Sequence, residues 1–208
     1  MFNKELGIIG IGNMGTALLR GIINSQIIEF EKIIIYDIDS KRLEDCCKEF
    51  KVQKAISNNS LTKLAKYILI AVKPQVIEKV LKEIGEIITE DQIIISIAAG
   101  ISIDYINKYL KQSIGIVRVM PNTPALVGAG ASALACNEKI NDDDLNYVKK
   151  LLPDSIGNLT DVLPSLQAGE ALIIGDAVVM PTLIYFDECA EYWPSSNDVK
   201  YYDIWKEQ

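Results

Sequence analysis

A glycine-rich turn near the start of the chain constrains the fold more than any other feature. Residues 10–15 read GIGNMG and fit the spacing GxGxxG. They follow a short apolar run at 6–11 and precede a helical pattern of apolar residues. A strand that turns sharply into a helix needs glycine for the turn, for close approach of a ligand to the backbone, and for packing of the helix on the strand. The turn therefore predicts a strand–turn–helix unit with a phosphate-binding helix start.

Strand-like and helix-like segments alternate from this turn to about residue 152. The predicted strands cover residues 6–11, 32–36, 67–72, 92–98, 114–120 and 131–136. The predicted helices after the turn cover residues 40–50, 59–66, 75–88, 102–110 and 141–152. Their predicted N-caps include Ser40, Ser102 and Asn141. In the helix at 75–88, we expect one buried face with Val76, Val80 and Ile84. Because crossovers between parallel strands are right-handed and cover the sheet, this order predicts an α/β fold of the Rossmann type. We expect a mostly parallel sheet with helices on both faces.

The turn and the second strand together predict a dinucleotide site. Within the turn, the expected cofactor contacts are Gly10, Gly12, Asn13, Met14 and Gly15. An acidic residue, Asp37, ends the second strand about 20 residues further on, where it would favour the free ribose 2′-hydroxyl of NAD(H). Ser40, Lys41 and Arg42 lie just beyond and could instead meet the 2′-phosphate of NADP(H). Both cofactors remain candidates.

Composition excludes several kinds of chemistry. The chain has no histidine, and its four cysteines show no CxxC spacing, so neither a zinc site of the usual kind nor a nucleophile activated by histidine is expected. The acidic run at 142–144 suits the start of a helix better than a metal site. A net charge of −7 disfavours nucleic acid as a partner, and the apolar runs are too short to span a bilayer. Without a signal-peptide pattern, we expect a cytoplasmic protein.

Four segments, in order, resemble pyrroline-5-carboxylate reductase. They are GIIGIGNMGTAL at 7–18, ILIAVKPQ at 68–75, SIAAGIS at 96–102 and VRVMPNTPALVGAGASAL at 117–134. The resemblance implies NAD(P)H-dependent reduction of the cyclic imine 1-pyrroline-5-carboxylate to proline, the last step of proline biosynthesis. Such chemistry suits a chain without histidine, because a protonated imine accepts hydride once substrate and cofactor are oriented.

The resemblance also implies further cofactor contacts. Asn58 would meet the adenosine ribose. The loop along the cofactor would consist of Ala71, Val72, Lys73 and Pro74, the turn beside the nicotinamide of Ala98, Ala99 and Gly100, and the segment closing that end of Asn122, Thr123 and Pro124. A solvated lysine at position 73 and a turn-forming asparagine at position 122 are the alternatives.

After Leu152 the chain departs from this family. The helical domain that forms the family's homodimer and holds the substrate carboxylate has no counterpart here, so we name no catalytic residue and do not expect that homodimer. Instead, residues 143–208, which include LPSLQAGEALIIGDAVVMP, resemble the end of HerA-type DNA-translocating ATPases. The chain has no GxxxxGK[ST] phosphate loop, so it cannot be a working ATPase.

These features predict a chimeric or truncated chain with two parts. Residues 1–152 form the dinucleotide-binding domain, and residues 153–208 form a small appendage with a β-hairpin turning at Gly175 and Asp176. Three functions stay open: an active reductase, a dinucleotide-binding module without turnover, and an interaction fragment related to a HerA-type ATPase.

Overall fold

Alternating strands and helices make up most of the described chain, which comprises residues 2–121, 132–152, 170–173 and 182–185 of the computed structural model. The strands are β1 (Lys4–Ile9), β2 (Ile33–Tyr36), β3 (Gln53–Lys54), β4 (Ala65–Ile70), β5 (Ile93–Ser96), β6 (Gly115–Pro121), β7 (Ser132–Cys136), β8 (Glu170–Ile173) and β9 (Thr182–Tyr185). The α-helices are α1 (Asn13–Asn24), α2 (Ser40–Phe50), α3 (Asn58–Leu64), α4 (Pro74–Ile84), α5 (Ile103–Asn107) and α6 (Asp142–Leu151). The chain divides into two compact units, Met1–Ile156 and Gly157–Gln208. The predicted domain boundary at residue 152 stays a prediction.

The first unit contains a seven-stranded sheet in the order β3-β2-β1-β4-β5-β6-β7. Strands β1 to β6 pair in parallel, and β7 pairs antiparallel to β6. This Rossmann-type arrangement confirms the predicted fold class. The sequence did not reveal β3, which has only two residues, both exposed.

Both faces of the sheet are covered by helices, as predicted. One core cluster packs α1, α2 and α6 against the sheet, through residues such as Leu18, Leu43 and Val148. The other packs α3, α4 and α5, through residues such as Leu61, Ile77 and Ile106. Because the central strands are buried on both faces, they read as continuous isoleucine runs rather than as alternating patterns.

Two helix starts differ from the predictions by one or two residues. Helix α2 is capped by Asp39 rather than Ser40, because the Asp39 carboxylate accepts a hydrogen bond from the Arg42 N–H (3.1 Å). Helix α3 is capped by Ser57, which forms a reciprocal capping box with Ser60, so the helix begins before the predicted residues 59–60. Ser102 and Asn141 cap α5 and α6 as predicted.

Helix α4 also differs from its predicted limits and buried face. Val76 is exposed, and the buried stripe consists of Ile77, Val80, Leu81 and Ile84. These four positions follow the i, i+3, i+4, i+7 spacing of one helix face. Val76 lies outside this face. The helix ends at Ile84 rather than at residue 88, and Gly85 follows as its C-cap. A Cβ atom on Gly85 would lie 2.0 Å from the carbonyl oxygen of Tyr109, so only glycine fits there.

A buried glutamine joins β5 to the turn between α3 and β4. The side-chain nitrogen of Gln92 donates to the carbonyl oxygens of Thr62 (2.6 Å) and Ala65 (2.7 Å). Its side-chain oxygen accepts from the backbone N–H of Thr89 (2.9 Å). With its polar atoms paired in this way, Gln92 can be almost fully buried at the start of β5.

A pair of stacked tyrosines holds α6 against the sheet. The rings of Tyr67 on β4 and Tyr147 on α6 lie 4.4 Å apart. The Tyr67 hydroxyl donates to the Asp144 carboxylate (2.6 Å), and the Tyr147 hydroxyl donates to Glu5. Burial, followed by these hydrogen bonds to carboxylates, raises the pKa of both phenols well above the usual value. Both tyrosines are therefore neutral donors in the folded chain.

In the second unit, the described residues are those of β8 and β9. The two strands pair antiparallel, with Glu170 opposite Tyr185 and Ile173 opposite Thr182. The turn predicted at Gly175 and Asp176 lies outside the described residues.

Candidate functional site

The glycine-rich turn lies where the order of the strands reverses. Strand β1 pairs with β2 on one side and β4 on the other, because the chain runs outward from β1 to β2 and β3 and then crosses back to place β4 on the other side of β1. The Gly10 N–H donates to the Tyr36 carbonyl (2.8 Å), and the Ala71 N–H donates to the Ile9 carbonyl (2.8 Å). The turn is thus fixed to both neighbouring strands at their carboxyl ends, the edge where open α/β sheets bind ligands.

Two glycines of the turn are required by the fold itself. Gly10 has a φ of +96°, and a Cβ atom there would lie 2.8 Å from the Ala71 carbonyl oxygen. A Cβ atom on Gly15 would lie 2.1 Å from the Gly10 carbonyl oxygen. Helix α1 can therefore approach β1 this closely only with glycine at both positions.

Gly12 is different, because the space around it is open. Among the described residues, no atom outside Gly12 and its two chain neighbours lies within 4 Å of the position that its Cβ would take. Gly12 is the N-cap of α1, where no side chain caps the helix and no acidic residue occupies the first turn. The backbone N–H groups at the start of α1, beginning with Asn13 and Met14, thus present the positive end of the helix to this space. The uncapped start of α1 and the space in front of Gly12 are therefore open to the same side.

Asp37 is bound to the turn. One of its carboxylate oxygens accepts from the Ile11 N–H (2.7 Å), and the other accepts from the Asp39 N–H (2.9 Å). Sequence reasoning placed Asp37 near a ribose but missed this connection to the turn. Since each carboxylate oxygen can accept a second hydrogen bond, the contact leaves Asp37 able to accept from a ligand hydroxyl as well.

The loop after β4 ends at the same edge of the sheet. Ala71 follows β4 directly, Lys73 is the N-cap of α4, and Pro74 is its first residue. Neither a side-chain cap nor an acidic first turn occupies this helix start. Lys73 is exposed and forms no ion pair within the described residues. A second open helix start thus lies beside that of α1.

The turn after β5 completes this edge. The Ile97 N–H donates to the Ile70 carbonyl (3.2 Å), which fixes the turn next to the end of β4. Ala98 is buried, whereas Ala99 and Gly100 are exposed, and Gly100 has a φ of +74°. The three turns after β1, β4 and β5 therefore lie side by side. Asn122, Thr123 and Pro124 lie outside the described residues.

Asn58 makes its contact elsewhere. Its side-chain nitrogen donates to the Glu83 carboxylate (2.7 Å). Glu83 precedes the last residue of α4, so it lies about 13 Å along the helix axis from Pro74, which begins α4 at the candidate site. Its side-chain oxygen is buried and has no hydrogen-bond partner in the described part of the chain. The contact with an adenosine ribose stays a prediction.

Arg118 is a charged residue near the site that sequence reasoning missed. It lies opposite Ser96 of β5 in the register of β6, and its buried Nε atom has no hydrogen-bond partner among the described residues. An arginine within the apolar strand sequence VRVM is the signal that could have singled it out.

The buried thiol of Cys46 is not suited to act as a nucleophile. Burial raises the pKa of the Cys46 thiol, which lies 3.8 Å from the Thr16 hydroxyl, so this thiol stays protonated and is a poor nucleophile. The described residues contain no cluster of His, Cys, Asp and Glu side chains suited to a metal ion. Among the described helices, none is long and apolar enough to cross a membrane.

The fold and the turn define the class: a Rossmann-type domain of the kind found in nicotinamide-dependent oxidoreductases. Comparison with known proteins agrees, because residues 5–100 match the family described as NADP oxidoreductase, coenzyme F420-dependent.

More specific similarity is to pyrroline-5-carboxylate reductases. The Escherichia coli enzyme of that name is 33% identical over 181 residues, which cover 86% of this chain and 62% of the enzyme. The solved structure of a pyrroline-5-carboxylate reductase from Coxiella burnetii matches with a TM-score of 0.68 and 30% identity, over 72% of this chain and 55% of that one. The Plasmodium falciparum pyrroline carboxylate reductase, solved with NADP bound, matches with a TM-score of 0.63 and 34% identity, over 73% of this chain and 55% of that one.

These matches also limit what the similarity covers. The chain spans about three fifths of the length of the E. coli relative. That match covers 86% of this chain, more than residues 1–152 can supply, so it includes part of the segment after Leu152. The resemblance of residues 143–208 to HerA-type ATPases gains no support from these matches and stays a prediction.

Proposed function

We propose that the chain binds a nicotinamide dinucleotide along the carboxyl edge of its sheet. The observation that carries this proposal is the open space at Gly12, in front of the uncapped start of α1. The pyrophosphate would accept hydrogen bonds from backbone N–H groups there, as anions do at helix starts. The similarity to an enzyme solved with NADP bound supports this choice of ligand.

We further propose that the reaction is the reduction of 1-pyrroline-5-carboxylate to proline. The reduced nicotinamide would supply a hydride to the imine carbon, and the protonated ring nitrogen would keep its proton to become the amine of proline. The residues of this chain would then act by positioning. The turns at 71–74 and 98–100 would hold the nicotinamide end, since both lie at the carboxyl edge beside the turn after β1.

Calorimetric titration of the full chain with NADH and NADPH tests the binding step. Turnover is tested on the same sample, by following the absorbance of the reduced nicotinamide after 1-pyrroline-5-carboxylate is added. We expect saturable binding and substrate-dependent oxidation, with a sample lacking substrate as control. If neither nucleotide binds, the proposed function is wrong.

A second candidate is a dinucleotide-binding module without turnover. It is favoured by the extent of the match, since the chain spans only 62% of the E. coli enzyme. Binding without oxidation, under conditions in which the E. coli enzyme turns over, would establish this candidate and reject the reductase.

A third candidate rests on the resemblance of residues 143–208 alone. We infer from it that the C-terminal segment contacts the ring of a HerA-type ATPase. Co-elution of the purified chain with such a ring would support this contact, and separate elution at micromolar concentrations of both would reject it.

A further inference from the structure

We propose that the site selects the dinucleotide with a free ribose 2′-hydroxyl, NADH, over the 2′-phosphorylated NADPH. This inference rests on the proposed function and deepens it. The selectivity would come from the carboxylates of Asp37 and Asp39, which follow β2, and from the ion pair that Arg42 forms with Asp39.

The adenosine end of the cofactor would lie at two exposed isoleucines that follow β2 and β3. Ile38 and Ile56 are the most exposed of the large apolar side chains in the described part, at 82% and 88%. In the parallel pairing of β2 and β3, Ile35 lies opposite Lys54, so Ile38 and Ile56 each follow the carboxyl end of one of two neighbouring strands. An adenine ring lying here would cover both isoleucines, and its ribose would then face the end of β2.

The glycine-rich turn fixes the orientation of Asp37. The hydrogen bond from the Ile11 N–H holds its carboxylate against the glycine-rich turn, on the side where the ribose must pass to reach the pyrophosphate site. Within the described residues, Asp37 forms no ion pair. Its negative charge therefore faces the ligand without a counter-ion, ready to accept from ribose hydroxyls and to repel a phosphate.

Cations near these carboxylates could reverse this preference. The Arg42 guanidinium lies 3.7 Å from the Asp39 carboxylate, which also caps the helix on which Arg42 lies. A phosphate approaching Arg42 would thus approach Asp39 as well. Lys41 has no ion-pair partner in the described part, but it lines a surface depression together with Asp39, Asp45 and Glu49. Acidic groups thus line the same depression as Lys41, the neighbouring cation that has no ion pair among the described residues.

The expected discrimination can be estimated from charge alone. A phosphate dianion about 5 Å from one carboxylate loses roughly tenfold in affinity, even at the dielectric constant of water. We therefore expect NADH to bind at least tenfold more tightly than NADPH. The ratio should fall as salt is added, because these side chains are exposed enough to be screened.

Titration calorimetry of the full chain and three variants tests this inference. In Asp37→Asn and Asp39→Asn the charge is removed, while the new side chain can still accept a backbone hydrogen bond or cap α2. We expect each to raise the affinity for NADPH by roughly tenfold and to change that for NADH by less. Asp91→Asn, the control at an exposed carboxylate just before the amino end of β5 and so at the opposite edge of the sheet, should leave the NADH to NADPH ratio within about twofold of the original.

The outcomes separate this inference from the proposed function. If neither nucleotide binds, the proposed function fails first. If NADPH binds as tightly as NADH, or if Asp91→Asn shifts the ratio as much as the other two variants, the selectivity proposed for Asp37 and Asp39 is wrong while dinucleotide binding stands. Should Asp37→Asn not fold, as judged by circular dichroism, Asp39→Asn still decides the question.

Discussion

Substitutions of Gly12 and Gly15 test separately how the turn folds and how it would bind a ligand. Gly15 is required for packing, whereas Gly12 faces the space proposed for the pyrophosphate. Gly15→Ala would place a Cβ atom 2.1 Å from the Gly10 carbonyl oxygen, whereas contacts below 3.0 Å are essentially never seen. The carbonyl would have to move by about 1 Å, an overpacking that costs about 3 kcal/mol. Alanine gains about 1 kcal/mol over glycine inside a helix. We therefore expect Gly15→Ala to lower the free energy of unfolding by about 2 kcal/mol.

Gly12→Ala should behave in the opposite way. Apart from its two chain neighbours, no described residue has an atom within 4 Å of the new Cβ, and residue 12 has a φ of −73° that alanine adopts freely. The only expected cost to folding is the poorer N-cap, about 0.5 kcal/mol. The same methyl group would stand in the space proposed for the pyrophosphate, so we expect the affinity for NADH to fall at least a hundredfold, as when a ligand loses several hydrogen bonds to backbone N–H groups.

Urea denaturation followed by far-ultraviolet circular dichroism measures the first effect, and titration calorimetry measures the second. Each variant serves as the control for the other, since one changes mainly stability and the other mainly binding. The reasoning fails if Gly12→Ala unfolds as readily as Gly15→Ala, or if Gly12→Ala binds NADH as the original chain does.

Three further predictions concern buried polar groups. Gln92→Leu should lower the free energy of unfolding in urea by about 3 kcal/mol, because it leaves backbone groups without partners in a buried site. The free energy of unfolding should fall as pH rises above about 10. The raised pKa values of Tyr67 and Tyr147 keep these phenols neutral in the folded chain. The same tyrosines ionise near pH 10 in the unfolded chain, so higher pH favours unfolding. Cys46 should react with iodoacetamide more slowly than a cysteine in a short peptide, as read by mass spectrometry, because burial raises the pKa of its thiol.

Each of these predictions has a clear contrary result. A Gln92→Leu chain as stable as the original would mean that the hydrogen bonds of Gln92 contribute nothing net. Stability that is unchanged between pH 9 and pH 11, or lost equally when both tyrosines are replaced by phenylalanine, would contradict the assignment to Tyr67 and Tyr147. Labelling of Cys46 at the peptide rate would show that its thiol is accessible and ionises normally.

The fold could be predicted from the sequence wherever a local pattern encodes it. The GIGNMG turn and the isoleucine runs of β2 and β5 determine their own conformation, and the alternation of elements determines a parallel sheet. The direction of β7 could not be predicted, because nothing in its short sequence SALAC distinguishes parallel from antiparallel pairing. The predicted start of α2 was wrong by one residue, because Asp39 and Ser40 are both good N-cap residues and the sequence does not distinguish them.

The candidate site was predictable to a smaller degree. Spacing identified Gly10, Gly12 and Gly15, but it could not tell that Gly12 alone faces open space, since this depends on where Ala71 and the start of α1 come to lie. The hydrogen bond between Ile11 and Asp37 joins residues 26 apart, so it arises only from the pairing of β1 with β2. Long-range contacts of this kind are outside what residue patterns encode.

The position of β1 at the reversal of strand order has a consequence for synthesis on the ribosome. Both neighbours of β1 follow it in the chain, and the second of them, β4, ends at Ile70. At translation rates of 5–20 residues per second, roughly 3–12 s separate Ile9 from Ile70. During that time one edge of an apolar strand lacks its partner, and such edges are prone to pair with other chains. The nascent chain should therefore depend on chaperone cover most strongly before residue 70 leaves the exit tunnel, and far less once β4 has joined β1.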